Sequence, residues 1–249
     1  MQEKIQRLVK MSNTLGSEVY DCAILGEGNT SAKLDQDYFL IKASGTQLRT
    51  IDEHGFIKVC FAPILEVLTK DALTDEEVKK VLLEASVENL DQKVPSVETF
   101  LHAILLSHEK INYVGHTHPT AINGVLCSKR AEEAYSGSLF PDQIVVLGTD
   151  PLFIPYTDPG FVLAKAFKEK FAAYLDRFGK APKAIYMQNH GFIAIGATDK
   201  DVLNITQMAV KTAKIILGTY LLGGPNFLSD AHVNRIETRP DEHYRRKVI

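Results

Sequence analysis

The spacing of apolar and polar positions along the chain alternates between a helical and an extended period. Residues 3–15 carry Ile5, Leu8, Val9 and Met11 at near-helical intervals, and Gly16 follows as a stop, which predicts a first helix. Short alternating runs at 31–34 and 38–43 predict strands. The first is entered through Gly26-Glu27-Gly28-Asn29-Thr30-Ser31 and the second left through Ser44-Gly45-Thr46, both turn-rich in small and hydroxyl residues. Residues 55–61 alternate again, whereas 63–70 and 74–90 read as helices, the second opened by a Thr74/Glu77 capping box. Pro95-Ser96 restarts the chain. Residues 97–107 then predict an amphipathic helix with Ser96 as N-cap, so that Glu98 lies in its first turn and His102 one turn further on the same face.

The second half continues in the same mixed manner. A strand over 112–116 runs into Pro119, a helix starts near 121, strands are expected at 143–147 and 152–156, and a helix at 161–178. Strands at 184–188 and 192–195 flank Asn189-His190-Gly191, and 199–222 is a long helix for which Asp199 is the cap. Gly223-Gly224-Pro225 marks a break, beyond which the chain is polar and ends in a charged segment, Arg235 to Lys247, that includes Tyr244 and reads as a solvated tail. With no repeat and no low-complexity linker, the pattern predicts one mixed α/β domain over 1–249, with a tail from about 225.

Composition narrows the class. The 249 residues are 45% apolar, ordinary for a globular chain with a full core. A net charge of −3 with both signs interspersed leaves no footprint for nucleic acid. Cys22, Cys60 and Cys127 are widely spaced, so neither a disulfide framework nor a thiolate zinc site is indicated. The first residues carry no apolar leader and no run suffices to cross a bilayer, which places the chain in the cytoplasm.

The chemistry concentrates in Val-Gly-His-Thr-His-Pro-Thr, 114–120. Side chains at i and i+2 leave a strand on one face, so His116 and His118 present two imidazoles together, a donor pair suited to a divalent metal or else a polar rim pair satisfied by backbone and water. His190, beside Gly191 at another strand end, is the natural third ligand, or a turn residue bonded to local backbone. Three imidazoles leave positions open, as in a catalytic site. Glu98 is the candidate carboxylate, against the commoner role of a first-turn glutamate stabilised by the helix dipole, and His102 reads as a supporting or satisfied core histidine. The two glycine-rich turns and Pro95-Ser96 offer hydroxyls and backbone N–H groups that form an anion nest if they meet in space, with Lys42 adding charge.

Six ordered motifs together resemble the class II aldolase/adducin superfamily: G-N-T-S at 28–31, I-K-A-S-G at 41–45, P-S-V-E at 95–98, H-T-H-P at 116–119, I-P-Y at 154–156 and Q-N-H-G at 188–191. Within it the chain is similar to the L-fuculose-phosphate and rhamnulose-phosphate aldolases. The resemblance implies a three-layer α/β/α sandwich around a mainly antiparallel sheet, a homotetramer with sites between subunits, and Zn²⁺ or another divalent metal on His116, His118 and His190. It also implies Glu98 as catalytic acid/base and Tyr156 as a catalytic tyrosine supplied to the neighbouring subunit. Gly28, Asn29, Lys42, Ser44, Gly45 and Ser96 fall on contacts to a sugar-phosphate substrate. The implied reaction is retro-aldol cleavage of a ketose 1-phosphate to dihydroxyacetone phosphate and an aldehyde through an enediolate. Relatives of the same build are 4-epimerases, dehydratases and decarboxylases, and adducin-like domains bind without catalysis. Val97 stands where those aldolases carry a second serine, and losing one neutral contact weakens phosphate binding by on the order of 1 to 2 kcal/mol.

Overall fold

The computed structural model describes residues 2–241. In chain order the elements are α1 (Gln2–Leu15), β1 (Asn29–Lys33), β2 (Tyr38–Lys42), β3 (Phe56–Cys60), α2 (Phe61–Val67), α3 (Asp75–Glu84), β4 (Ser86–Val87), α4 (Thr99–Leu106) and β5 (Tyr113–Thr117). They continue with α5 (Thr120–Leu126), α6 (Ala131–Ala134), α7 (Pro141–Leu147), β6 (Leu152–Ile154), α8 (Phe161–Phe178), β7 (Ala184–Met187), β8 (Gly191–Gly196), α9 (Asp199–Tyr220) and α10 (Asp230–Thr238). The strands form one sheet in the order β4-β3-β2-β1-β5-β8-β7-β6. Every pairing is antiparallel except β6 with β7.

The period-2 pattern sorts each strand between two cores. Phe39 and Ile41 of β2 and Ile193 and Ile195 of β8 enter a cluster with α2, α3, α4 and α8. Leu40, Phe192 and Ala194, one residue out of step, enter the opposite cluster with α1, α5, α7 and α9. Helices therefore cover both faces, giving the expected α/β/α sandwich. On β5, Val114 belongs to the first cluster and Tyr113 to the second, so His116 projects on the Val114 side, beneath α4.

Several boundaries differ from the sequence expectation. Residues 143–147 form α7, not a strand: a short apolar run suits either structure, and here Pro141 starts the helix at its first position while Gly148, at φ +83°, stops it. The helix expected over 74–90 has its capping box but ends at Glu84, because β4 pairs with β3 and Ala85 accepts from the Cys60 N–H. In α9 the cap is Thr198, in a reciprocal box with Asp201, and Asp199 falls inside the first turn. The C-terminal segment is not wholly a tail. Ser229 caps α10, which packs on α7, and Phe227 lies against Gly137. Tyr244 and the basic residues after it lie outside the described residues. No described helix is long and apolar enough to cross a membrane.

Phe167 of α8 is fully buried in the first cluster, whereas Val19 is 93% exposed. Phe167→Ala is expected to destabilise by about 3–5 kcal/mol and Val19→Ala by less than about 0.5 kcal/mol in chemical denaturation. A loss below about 1 kcal/mol at Phe167 contradicts this packing.

Candidate metal centre

Three strand ends meet beneath the start of α4. β5 delivers His116 and, just beyond its end, His118; the β7–β8 turn delivers His190. That turn is tight enough to hold Asn189 at φ +53°, and Asn123 Nδ2 of α5 donates to the His190 carbonyl at 3.0 Å. His116 and His118 bring their Nε2 atoms within 3.0 Å, and the three rings lie 4.8, 5.1 and 5.3 Å apart, centroid to centroid. One nitrogen from each ring lies within 4.8 Å of the other two. Gly191 makes this crowding feasible, since a Cβ there would stand 2.5 Å from the His118 ring and 3.0 Å from that of His116.

Glu98 faces the cluster. Its Oε2 is 3.2 Å from His116 Nε2 and its Oε1 3.0 Å from His190 Nε2. It is the residue before α4, not part of its first turn, and Ser96 Oγ lies 3.4 Å from the Glu98 N–H, too far for a strong cap. The carboxylate is oriented from the other side: Asn29 Nδ2 donates to Oε2 at 2.6 Å and to Ser96 Oγ at 3.1 Å. Behind Asn29 stands the fully buried His102, with Nε2 2.5 Å from Asn29 Oδ1 and Nδ1 2.5 Å from Ser31 Oγ. An ionised Glu98 can only accept, so the chain has one polarity: Ser31 O–H to His102 Nδ1, His102 Nε2–H to Asn29 Oδ1, Asn29 N–H to Glu98. His102 is thus a satisfied supporting histidine, as its sequence context suggested.

Burial alone would raise the Glu98 pKa, but the charges and hydrogen bonds of His116 and His190 outweigh it and hold the carboxyl well below its usual range. His116 is pushed up: burial opposes its charge, and Glu98 and the Phe192 carbonyl overcome that. Burial, followed by the charges of His116 and His190, lowers His118 to about 3. His102 falls to about 3 as well, chiefly through burial.

These residues fit a divalent cation. Phe192 O lies 3.1 Å from His116 Nδ1, where it takes that N–H and leaves Nε2 facing inward. Two ligand nitrogens on a tetrahedral ion with bonds near 2.0–2.1 Å lie roughly 3.3 Å apart, close to the observed His116–His118 approach. Glu98 Oε1 is buried with His190 Nε2 as its near contact, at 3.0 Å and poorly aligned, so it presents an acceptor to the cluster.

The three candidate anion turns also converge. Ser44 N–H donates to Val94 O at 2.8 Å, Ser96 N–H to Lys42 O at 3.3 Å, and Ala43 bridges Pro95, while Asn29 reaches Ser96. Gly28, at φ +68°, puts its Cα against the His116 carbonyl, where a Cβ would stand at 2.7 Å, and Gly45 is at φ +81°. Lys42 is buried, its pKa lowered by that burial, and its ammonium donates to Gly26 O at 3.2 Å. Tyr156 is 54% exposed, and its hydroxyl donates to Asp158 at 2.9 Å instead of joining the histidines. Sequence reasoning missed Glu27, whose Oε1 lies 3.8 Å from His118 Nδ1, because a glutamate between two glycines carries no periodic signal. A separate cavity of about 710 Å³ opens at the far end of the sheet, around Ile111, Lys183 and Gly196, away from this chemistry.

A family model described as the class II aldolase and adducin N-terminal domain matches residues 6–217. The N-terminal class II aldolase domain of a conserved protein from Thermoplasma acidophilum is 30% identical, with a TM-score of 0.68 over 87% of this chain and 95% of that one. An L-fuculose 1-phosphate aldolase structure shares the fold at 20% identity, with a TM-score of 0.69 over 95% of each chain. Among curated proteins, Bacillus subtilis YuxG, described as an uncharacterized oxidoreductase, is 28% identical over 218 residues. That match takes in 84% of this chain and 29% of YuxG, so the chain spans under a third of that relative.

His102→Leu leaves the Asn29 carbonyl and the Ser31 hydroxyl without partners and is expected to destabilise by about 2–4 kcal/mol, whereas His102→Gln, with a donor and an acceptor at similar reach, loses less. Folded His102 takes a proton only near 3, against an ordinary value of 6.5, so below 6.5 the unfolded chain binds a proton that the folded one refuses. Wild-type stability therefore falls with acid by up to about 1.4 kcal/mol per pH unit from this group, and its margin over His102→Gln narrows between pH 7 and 5 in denaturant titrations. A constant margin contradicts the buried neutral histidine.

Proposed function

The chain belongs to the class II aldolase and adducin N-terminal domain family, and from that membership we propose a zinc-dependent aldehyde-lyase that cleaves a ketose 1-phosphate to dihydroxyacetone phosphate and an aldehyde. The observation that carries this reading is the Glu98 carboxylate held 3.2 Å from His116 and 3.0 Å from His190, two of three converging imidazoles. Adducin-like binding domains do not need that constellation. His116, His118 and His190 would hold the metal. A divalent ion there supplies Lewis-acid stabilisation of negative charge growing on the substrate's ketone oxygen.

Carbon–carbon cleavage requires a proton to leave the hydroxyl on the carbon that becomes the aldehyde, and a proton to reach the neighbouring carbon that inherits the bonding electrons. Glu98 performs the second transfer. Its low pKa suits the basic form, which takes the proton from that carbon in the condensation direction; in cleavage the carboxylate first takes up a proton from solvent and then delivers it, while Asn29 holds Oε2 in place. Tyr156 is assigned to the first transfer, in a neighbouring subunit of a homotetramer: it takes the hydroxyl proton as its own passes along its hydrogen bond to Asp158, and its exposure on its own chain is compatible with that use. The phosphate is assigned to the Ser44 and Ser96 hydroxyls together with Gly28, Asn29 and Gly45, since the Ser44 and Ser96 N–H groups are already given to Val94 O and Lys42 O, with Lys42 as the counter-charge. Asn29 already spends its amide on Ser96, Glu98 and His102, so any phosphate contact there competes with Ser96 or Glu98.

Glu98→Gln is expected to retain the fold and the metal and to lose turnover by about 10²–10⁴-fold in a coupled assay for dihydroxyacetone phosphate across ketose 1-phosphates. Retention of most of the wild-type rate contradicts the assignment of Glu98.

A further inference from the structure

We propose that Glu27 is a positioning residue of the metal centre: its carboxylate holds the His118 ring with Nε2 turned to the cluster and raises the affinity of that ligand set for a divalent cation. The inference rests on the metal-binding reading of His116, His118 and His190.

The two nitrogens of His118 face different surroundings. Nε2 points inward, 3.0 Å from His116 Nε2, and Nδ1 points outward, 3.8 Å from Glu27 Oε1. A neutral imidazole that offers Nε2 to a cation carries its proton on Nδ1, toward Glu27. At 3.8 Å the carboxylate acts through its charge, beyond hydrogen-bond length: it favours the tautomer with the proton on Nδ1 and makes the inner nitrogen a better donor. His116 obtains the equivalent service from the Phe192 carbonyl, a neutral acceptor. Glu27 supplies a full charge to the ligand that otherwise lacks a partner on its outer edge.

Glu27 is placed for this purpose by the segment that carries it. Its second oxygen, Oε2, accepts the Ile24 N–H at 3.0 Å, and its own N–H donates to Ile24 O at 3.0 Å. The segment is tied to the strand end that bears the histidine: His118 N–H donates to Cys22 O at 2.8 Å, and Thr120 Oγ1 to Asp21 Oδ1 at 2.9 Å. Lys42 fastens the far side through Gly26 O. Gly191 lies against the opposite edge of the ring, where a Cβ would stand 2.5 Å from His118 Cδ2. The contact borders a cavity of about 260 Å³ lined by Asp21, Glu27, His118 and Asn123, and the Glu27 side chain is 39% exposed. An ion pair so exposed contributes little to folding, so an effect on metal affinity separates from an effect on stability.

The test is the Zn²⁺ dissociation constant of the full-length protein, by competition with a chromophoric chelator, for wild type, Glu27→Ala and Glu27→Gln, beside the thermal midpoint of each metal-free protein. Glu27→Ala is expected to weaken zinc binding by about 10–100-fold, and Glu27→Gln by a similar factor, because at 3.8 Å it is the charge and not a hydrogen bond that acts on Nδ1; the metal-free midpoints stay together. Equal affinity in wild type and Glu27→Ala overturns the proposal. So does weaker binding matched by a lower metal-free midpoint, which makes Glu27 a structural residue. Wild-type protein that takes up no zinc refutes the metal-binding reading itself, an outcome distinct from both.

Discussion

Glu98 keeps its charge at a place that water scarcely reaches. A carboxylate buried without a partner would shed that charge, and the arrangement around it exists to prevent this: imidazoles of His116 and His190 in front, the Asn29 amide behind. Removing either side leaves a buried charge or a buried donor unmet, so the two sides depend on each other. Because the Asn29 amide is itself oriented by His102, and His102 by Ser31, the constraint runs from the carboxylate into β1 and α4.

The fold serves this constraint through its strand order. β1 lies between β2 and β5, and β5 lies between β1 and β8. Three neighbouring strands thereby bring Asn29, His116 and the start of β8 to one end of the sheet: Asn29 pairs with His116, and His116 with Ile193. α4 packs over β1, β2 and β5 and lowers Glu98 onto them. Glycines at 28 and 191 let backbone pass where a methyl group would strike the His116 carbonyl or the histidine rings. The antiparallel sheet thus acts as a frame, and the histidines are its end pieces.

What was legible in the sequence follows from distance along the chain. His116 and His118 could be read as one donor pair because a strand fixes the geometry of i and i+2, and the helices 2–15 and 161–178 because long periodic segments resist misreading. The stretch 143–147 is ambiguous in the sequence because Gln143 and four apolar, partly β-branched residues fit a strand or a buried helix, and only the flanking Pro141 and Gly148 tip the balance. The partners of His102 and the approach of Glu27 to His118 were not legible, since each links segments that only the folded sheet brings together. The convergence of the turns at 28, 44 and 96 was conditional in the sequence and is met in the structure.

The most direct test of the central claim, that these imidazoles form a catalytic metal centre, is the metal content of purified protein by elemental analysis, wild type beside His118→Ala. A metal centre built on these imidazoles gives near-stoichiometric zinc in the wild type and its loss in a variant that remains folded. Wild-type protein free of metal after zinc has been supplied, or a variant that keeps its full zinc content, would contradict it.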